Sequence, residues 1–379
     1  MSTQTILSNA RIVLPDEVVE GSLLIRDGLI ADISSGSSRT GEDLGGEYLI
    51  PGLVELHTDH LEGHYAPRPK VRWNPLAAVL AHDAQVATAG ITTVFDALRV
   101  GFDEDSELTS QDMRKLADAI EDGVRNDRLR ADHFIHLRCE VSAPDCLEGF
   151  GWFDGDDRVK LASLMDHAPG QRQFVNMETY TYYYQRRLKL SDKEFREFCE
   201  RRVGESERNS PVNRKAISQA CQRRGIVLAS HDDATAAHVA EAVTQGIRVA
   251  EFPTTHEAAQ ASRDAGLGVL MGAPNVVRGG SHSGNVSART LAEEGLLDIL
   301  SSDYIPFSLI QSAFFIGEAV EGISLPKAVA MVSKNPAEAV GLTDRGVIEP
   351  GRRADLVRVR VDDHVPVVRT VWREGRRVA

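Results

Sequence analysis

Cysteine is scarce. The 379 residues hold four, Cys139, Cys146, Cys199 and Cys221, without the close pairing of a thiolate metal site or the density of a disulfide scaffold. A small disulfide-held secreted fold is thereby excluded, and a reducing cytoplasm is the expected location. No apolar run approaches the roughly 20 residues that a membrane-spanning helix needs. The opening MSTQTILSNARIVL lacks the basic region and long apolar core of a signal peptide. Positive charge is also short, with 43 Lys and Arg against 56 Asp and Glu and a net charge of −13. Such a chain is not expected to bind nucleic acid or an anionic membrane. A polyanionic small molecule would need cations focused locally. A doubly wound open sheet is the runner-up architecture, but no glycine-rich dinucleotide fingerprint follows any predicted strand.

What the sequence does contain is alternation. Residues 4–48 read as short valine- and isoleucine-rich strands with turns such as Arg26-Asp27-Gly28, and GVIEPGRRADLVRVRV and PVVRTVWREGRRVA repeat that texture at the other end. The two ends predict one β-sandwich, from residues 1–49 and 343–379, around a barrel of residues 50–342. In the middle, eight apolar strands are predicted at 49–56, 90–98, 133–142, 159–167, 225–233, 247–255, 267–275 and 297–306, most with helical stretches between them. Asn74-Pro75 is a cap-then-proline helix start. Eight βα units predict an α/β fold, a closed (β/α)8 TIM-like barrel, with chemistry at the strands' C-terminal ends. Residues 178–224 form a long, highly charged insertion, expected as extra helices serving as a lid or a homo-oligomer contact. Its Tyr180, Tyr182, Tyr183 and Tyr184 read as packing.

The predicted strand ends carry ionisable residues. His57 and Asp59 alternate at the end of the first strand, so both project one way, and an imidazole beside a carboxylate is half a metal site. Glu140 ends the third strand in the alternating set His136, Arg138, Glu140. Lys160 opens the fourth strand, the wrong end for a carboxylated bridging lysine, which favours Glu140 as the bridging carboxylate. His231 ends the fifth, followed by Asp232 and Asp233. The sixth offers Glu251 or His256; Thr254 and Glu257 have the spacing of a capping box, which would place His256 in a helix's first turn. Asp303 ends the eighth and is expected both to touch the metal and to act as general base.

For the substrate, Arg68, Lys70 and Arg72 occupy every second position and in an extended segment would form an anion clamp. Arg172 follows strand four. Arg278 and His282 flank or lie within a glycine- and serine-rich loop after strand seven, where barrels often hold phosphate.

The order His57-x-Asp59, Glu140, His231, His256 or Glu251, Asp303, with PGLVELHTD and GVIEPGRRADLV at the domain seams, resembles the amidohydrolase superfamily. The stretches HTDHLEGHYAPRPKVRW, SLMDHAPGQRQF, LASHDDATAAHVAE, AEFPTTHEAA, GAPNVVRGGSHSGNVS and LLDILSSDY narrow the resemblance to its branch of diphosphatases in phosphonate catabolism. That resemblance implies a hydrolase dependent on a divalent metal (zinc first, then manganese, iron or magnesium) that releases pyrophosphate from a small phosphorylated substrate. His-x-Asp replaces the superfamily's usual His-x-His, a departure that branch shares. An amide or imine hydrolase on the same framework is the other reading.

Overall fold

The computed structural model describes residues 4–101, 108–172, 180–181, 184–185, 188–281 and 284–379. Both chain ends meet in one eight-stranded sheet. Its strands are β1 (Gln4–Val13), β2 (Val18–Arg26), β3 (Leu29–Ser35), β4 (Glu42–Asp43) and β5 (Tyr48–Pro51), with β14 (Leu356–Asp362), β15 (Val365–Arg373) and β16 (Arg376–Arg377) from the other terminus. Asp27 and Gly28 both take positive φ (51° and 83°), as a tight hairpin between β2 and β3 requires. The seam between the ends is the antiparallel pair β5–β14, running from Tyr48 opposite Val359 to Pro51 opposite Leu356.

Gly52 turns the chain from this sheet into the barrel. Its backbone passes so close to Thr92 and Asp355 that a Cβ would sit 2.2 Å from Thr92 Oγ1, so only glycine fits there. The barrel strands are β6 (Leu53–Thr58), β7 (Ile91–Val100), β8 (Asp132–Glu140), β9 (Val159–Met165), β10 (Val227–His231), β11 (Val249–Glu251), β12 (Gly268–Gly272) and β13 (Ile299–Ser301), each parallel to the next. A parallel bridge between Thr58 and Asp303 closes the ring. Buried Glu55 stitches the same seam, accepting from Ser301 Oγ at 2.7 Å and from the Ser302 amide at 2.5 Å. Val54, Leu56, Phe95, Leu161, Ala229, Val249, Leu270 and Ile299 fill the interior as a packed apolar layer.

Around it run α1 (His60–Tyr65), α2 (Pro75–Thr88), α3 (Ser110–Arg125), α4 (Cys146–Gly151), α5 (Asp192–Arg224), α6 (Ala236–Thr244), α7 (His256–Asp264), α8 (Ala273–Arg278), α9 (Ala288–Glu293), α10 (Ser308–Ala319), α11 (Leu325–Ala330) and α12 (Lys334–Ala339) among the described residues. Asn74 caps α2 through the Ala77 amide, with Pro75 at its first position, as the sequence predicts. The cap of α7 is shifted by one residue from expectation. Thr255, not Thr254, accepts from the Ala258 amide, and Glu257 reaches across to the Ala236 amide. Thr254 is instead drawn to the Asp233 carbonyl.

Most of the predicted insertion becomes α5, capped by the Ser191–Glu194 box and ended by Gly225 at φ 66°. Its polar face lies over the C-terminal ends of β8 and β9. Asn213 donates to the carbonyls of Val141 and Ala143, Asn209 to Ser142, and Ser206 and Ser210 both donate to Asp166 Oδ2. Tyr180 and Tyr184 pack with Phe195 and Phe198 in a separate apolar cluster; Tyr182 and Tyr183 lie outside the described residues.

Candidate metal centre at the barrel mouth

Period-two alternation explains where the chemistry sits. Leu161, Ala229 and Val249 belong to the apolar interior layer, and two residues further along each strand come Ser163, His231 and Glu251. On β8 the inward face runs Phe134, His136, Arg138, Glu140. The β6–β7 register shifts between Glu55 and Thr58, at the point where His57 joins the same polar layer. Hydrophobic filling below and ionisable side chains above follow from one rule of strand geometry.

Glu251 is the hub. Its Oε1 lies 3.3 Å from His57 Nδ1 and 3.7 Å from His136 Nε2, and its Oε2 lies 3.2 Å from His231 Nδ1 and 2.5 Å from the donating Ser163 hydroxyl. Burial opposes its charged form, but His136, His57 and the bond to His231 hold its pKa well below the usual carboxylate range. Burial likewise works against a charged His57, yet Glu251 beside it leaves its pKa raised. Burial pushes His136 down to about 3, outweighing the pull of Glu251 in the other direction. Burial lowers His231 as well.

Two donor groups adjoin here. His57, His136 and Glu251 offer ligand atoms within 4.8 Å of one another, and so do His167, His231 and Asp232. The rings of His57 and His231 stack at 5.6 Å between centroids, which makes the two groups neighbours. The donor set fits a divalent cation. The His136 ring faces the Leu56 carbonyl through Nδ1 at 2.9 Å and the Ser163 hydroxyl through Nε2. That single hydroxyl proton is also the one given to Glu251, so it serves two acceptors. A cation makes good this deficit of positive charge, and imidazole with carboxylate suits borderline divalent ions.

The other expected site residues are distributed as follows. Glu140 is fully buried at the end of β8, with His167 Nδ1 2.6 Å from its Oε2 and Arg202 3.9 Å from its Oε1. Burial pushes its pKa up, but His167 more than reverses this and the carboxylate is held low. Asp59 is not in either donor group; it faces Arg138, whose Nη1 is 3.1 Å from its Oδ2. Asp303 stands at the lip with φ 55°, its pKa raised to about 6 by burial and then by Asp59. Asp232 and Phe252, each directly after a strand end, also hold positive φ (56° and 53°), the kind of backbone strain that clusters at working sites. Lys160 is exposed near the N-terminal end of β9, away from the mouth.

Several expectations need correction. His256 does not look into the mouth: it starts α7 half exposed and pairs with Glu294 at 2.7 Å. Arg68, Lys70 and Arg72 are exposed but not extended. A turn brings the Val71 amide to the Arg68 carbonyl at 3.0 Å with Lys70 at φ 62°, which breaks the single-faced clamp. Arg72 approaches Asp112 at 4.0 Å. Arg172 is buried and committed to Asp233 and to Glu241, the latter at 2.8 Å. Arg278 is exposed at the end of α8, and His282 lies outside the described residues.

Sequence reasoning did not single out His136, His167, Asp232 or Arg214 for these positions. His136 was legible in principle, sharing Glu140's alternation. Arg214 is buried on α5, and its Nη1 has no hydrogen-bond partner among the described residues; nothing in its local sequence marks it.

Residues 212–379 match the model of the Amidohydrolase family. The chain is 48% identical over 377 residues to the alpha-D-ribose 1-methylphosphonate 5-triphosphate diphosphatase of Escherichia coli strain K12, covering 98% of this chain and all of that one. It also resembles, at 23% identity over 95% of its length and 92% of the relative's, an imidazolonepropionase of Deinococcus deserti. Among solved structures, the 5-methylcytosine deaminase of Klebsiella pneumoniae superposes with a TM-score of 0.67 at 14% identity, covering 99% of this chain and 98% of that one. The N-acetylglucosamine-6-phosphate deacetylase of Pasteurella multocida gives 0.66 at 14%, covering 99% of each. At those identities the structures share the fold alone. With its full-length relative, its barrel and its appended sheet, the chain belongs to the amidohydrolase family.

Proposed function

We propose that the protein is a metal-dependent diphosphatase that hydrolyses alpha-D-ribose 1-methylphosphonate 5-triphosphate to the 5-phosphate and pyrophosphate. The observation that carries this reading is the 48% identity, over the whole length of both chains, to an enzyme of that name. Resemblance at that level and coverage spans every strand end described above.

The ion proposed is zinc, because the donors are imidazoles and carboxylates. Held by His57, His231 and Glu251, with His136, Glu140, His167 or Asp232 completing the set, it would offset phosphoryl charge and acidify water. The chain's own residues do the rest. Asp303, a carboxylate above about pH 6, would take a proton from the attacking water while the phosphoric anhydride bond breaks and pyrophosphate leaves. Buried Arg138 on β8 and buried Arg202 and Arg214 on α5 would hold the phosphates in place of the exposed Arg68–Arg72 stretch. Charge-assisted bonds from guanidinium suit phosphate oxygens.

The test is pyrophosphate release. The metal-loaded enzyme should liberate one pyrophosphate per ribosyl methylphosphonate triphosphate consumed and leave amides, imines and acetylated sugars untouched. Faster turnover of an amide or imine than of the triphosphate would overturn the proposal.

A further inference from the structure

A second histidine cluster lies outside the barrel, where α2 packs on β7 and α1 packs on α2. His60 and His64 are four residues apart on α1 and so share a face, and His82 and Gln85 are three apart on α2. His60 Nε2 is 2.9 Å and His64 Nε2 3.2 Å from the same atom, Gln85 Oε1. Both rings therefore aim at one point. The ring centroids of His60, His64 and His82 lie 5.0, 6.0 and 6.1 Å apart. Three imidazoles on one tetrahedral zinc, at Zn–N of about 2.0–2.1 Å, have centres roughly 5 Å apart. The two centroid separations to His82 exceed this by about 1 Å, so its ring must move to complete such a site.

His82 supplies the second, independent observation. It is fully buried, its Nε2 is 2.8 Å from Asp96 Oδ1, and its Nδ1 has no hydrogen-bond partner among the described residues. The neighbouring groups are all committed. Asp96 Oδ2 is 2.7 Å from His133 Nδ1, and His133 Nε2 is 3.3 Å from Asp83 Oδ1. Asp83 Oδ1 also accepts from the amides of Arg130 and Ala131 at 2.8 and 3.0 Å. A carboxylate that fixes one ring N–H and leaves the opposite nitrogen's lone pair exposed is how ligating histidines are oriented. In this network only His82 Nδ1 is left over.

We propose that His60, His64 and His82 form a second divalent-metal site, separate from the barrel mouth, with Gln85 Oε1 or water as the fourth donor. Three nitrogens select a borderline ion of the Zn²⁺, Co²⁺ or Ni²⁺ class over Mg²⁺ or Ca²⁺. The ion clamps α1 to α2. Because α1 begins immediately after Asp59, the clamp fixes the segment that brings Asp59 to Arg138 at the mouth.

The experiment is a Co²⁺ titration of the metal-stripped full-length protein, followed by visible absorption and by metal content after dialysis. His60→Ala/His64→Ala should bind one equivalent fewer than wild type. His57→Ala/His231→Ala, with the mouth disabled, should keep one tight equivalent and gain thermal stability from it, and adding His64→Ala should abolish both. Anomalous scattering from wild-type crystals grown with Co²⁺ needs no variant and should show an ion at coordination distance from His82 Nδ1. Equal stoichiometry in wild type and His60→Ala/His64→Ala, or an anomalous peak at the mouth alone, overturns the proposal.

Discussion

His167 Nδ1 lies 2.6 Å from Glu140 Oε2, so the carboxylate that ends β8 is tied to the segment after β9, whose His167 also belongs to the donor group with His231 and Asp232. This makes Glu140 either a ligand or the residue that orients one. In both cases Glu140→Gln removes the negative charge that His167 and Arg202 face. The expected outcome is lower metal content than wild type and activity reduced at least about 10–100-fold, as when the partners of ligating histidines are removed. Elemental analysis beside turnover checks it, and added bicarbonate should leave wild type unchanged. Full occupancy in the variant would remove Glu140 from the centre.

Strand six presents a clean comparison. Glu251 touches His57, His136, His231 and Ser163, whereas His256 sits on the surface with Glu294. Glu251→Gln should lose metal and activity together. His256→Ala should change stability by no more than about 1 kcal/mol, the range of an exposed ion pair, and leave metal content unchanged. The reverse ranking would restore His256 as the ligand.

Asp303→Asn should retain the fold and substrate binding, because the side chain stands at the lip and the Thr58–Asp303 bridge is made by backbone. Turnover should fall by roughly 10²–10⁴, the contribution of a positioned general base. Near-normal kcat would eliminate the role.

The appended sheet is bolted to the barrel floor at Asp132, which takes Arg345 at 2.7 Å, Arg353 at 2.8 Å and Arg373 at 3.2 Å. Burial alone would raise the Asp132 pKa, but those three arginines lower it. A carboxylate depressed in the folded state contributes stability above its unfolded pKa of about 3.9 and loses that contribution as pH falls through the lower folded value. Asp132→Asn leaves three guanidinium groups facing one another and should cost about 3 kcal/mol near pH 7. The gap in Tm between wild type and variant should narrow below about pH 4. A gap independent of pH would show that shape, not charge, holds this joint.

The barrel was legible because fully buried parallel strands read as apolar runs ended by ionisable residues; Glu251, Glu140 and His231 stood at those ends for the same reason. What could not be read was partnership. Alternation put Arg68, Lys70 and Arg72 on one face, but alternation is a property of strands, and a left-handed Lys70 breaks it. Arg172 looked like a free cation because Asp233 and Glu241 lie 61 and 69 residues away. The T-x-x-E spacing put the cap at Thr254, but Glu257 turns away to the Ala236 amide and Thr255 caps the helix one residue later.

Arg172 is neutralised by two acids, and burial, then the positive charge of Arg214, brings its pKa down to about 10. Arg214 thus lies close enough to repel it. On α5, Arg214 follows Ser206 and Ser210 at four-residue steps, and those serines bond Asp166 beside the mouth; the common spacing places all three on one helix face. Arg214 is a buried guanidinium whose Nη1 has no hydrogen-bond partner among the described residues, so a phosphate oxygen could supply one. A hydrogen bond to a charged group contributes about 1.5–3 kcal/mol, so Arg214→Gln should raise KM for the triphosphate by roughly 10–100-fold. Circular dichroism and metal content should stay near wild type. Arg68→Ala, on an exposed turn, should change KM less than about threefold, since solvent screens its charge. A larger loss from Arg68→Ala than from Arg214→Gln would return the phosphate-binding role to the turn after α1.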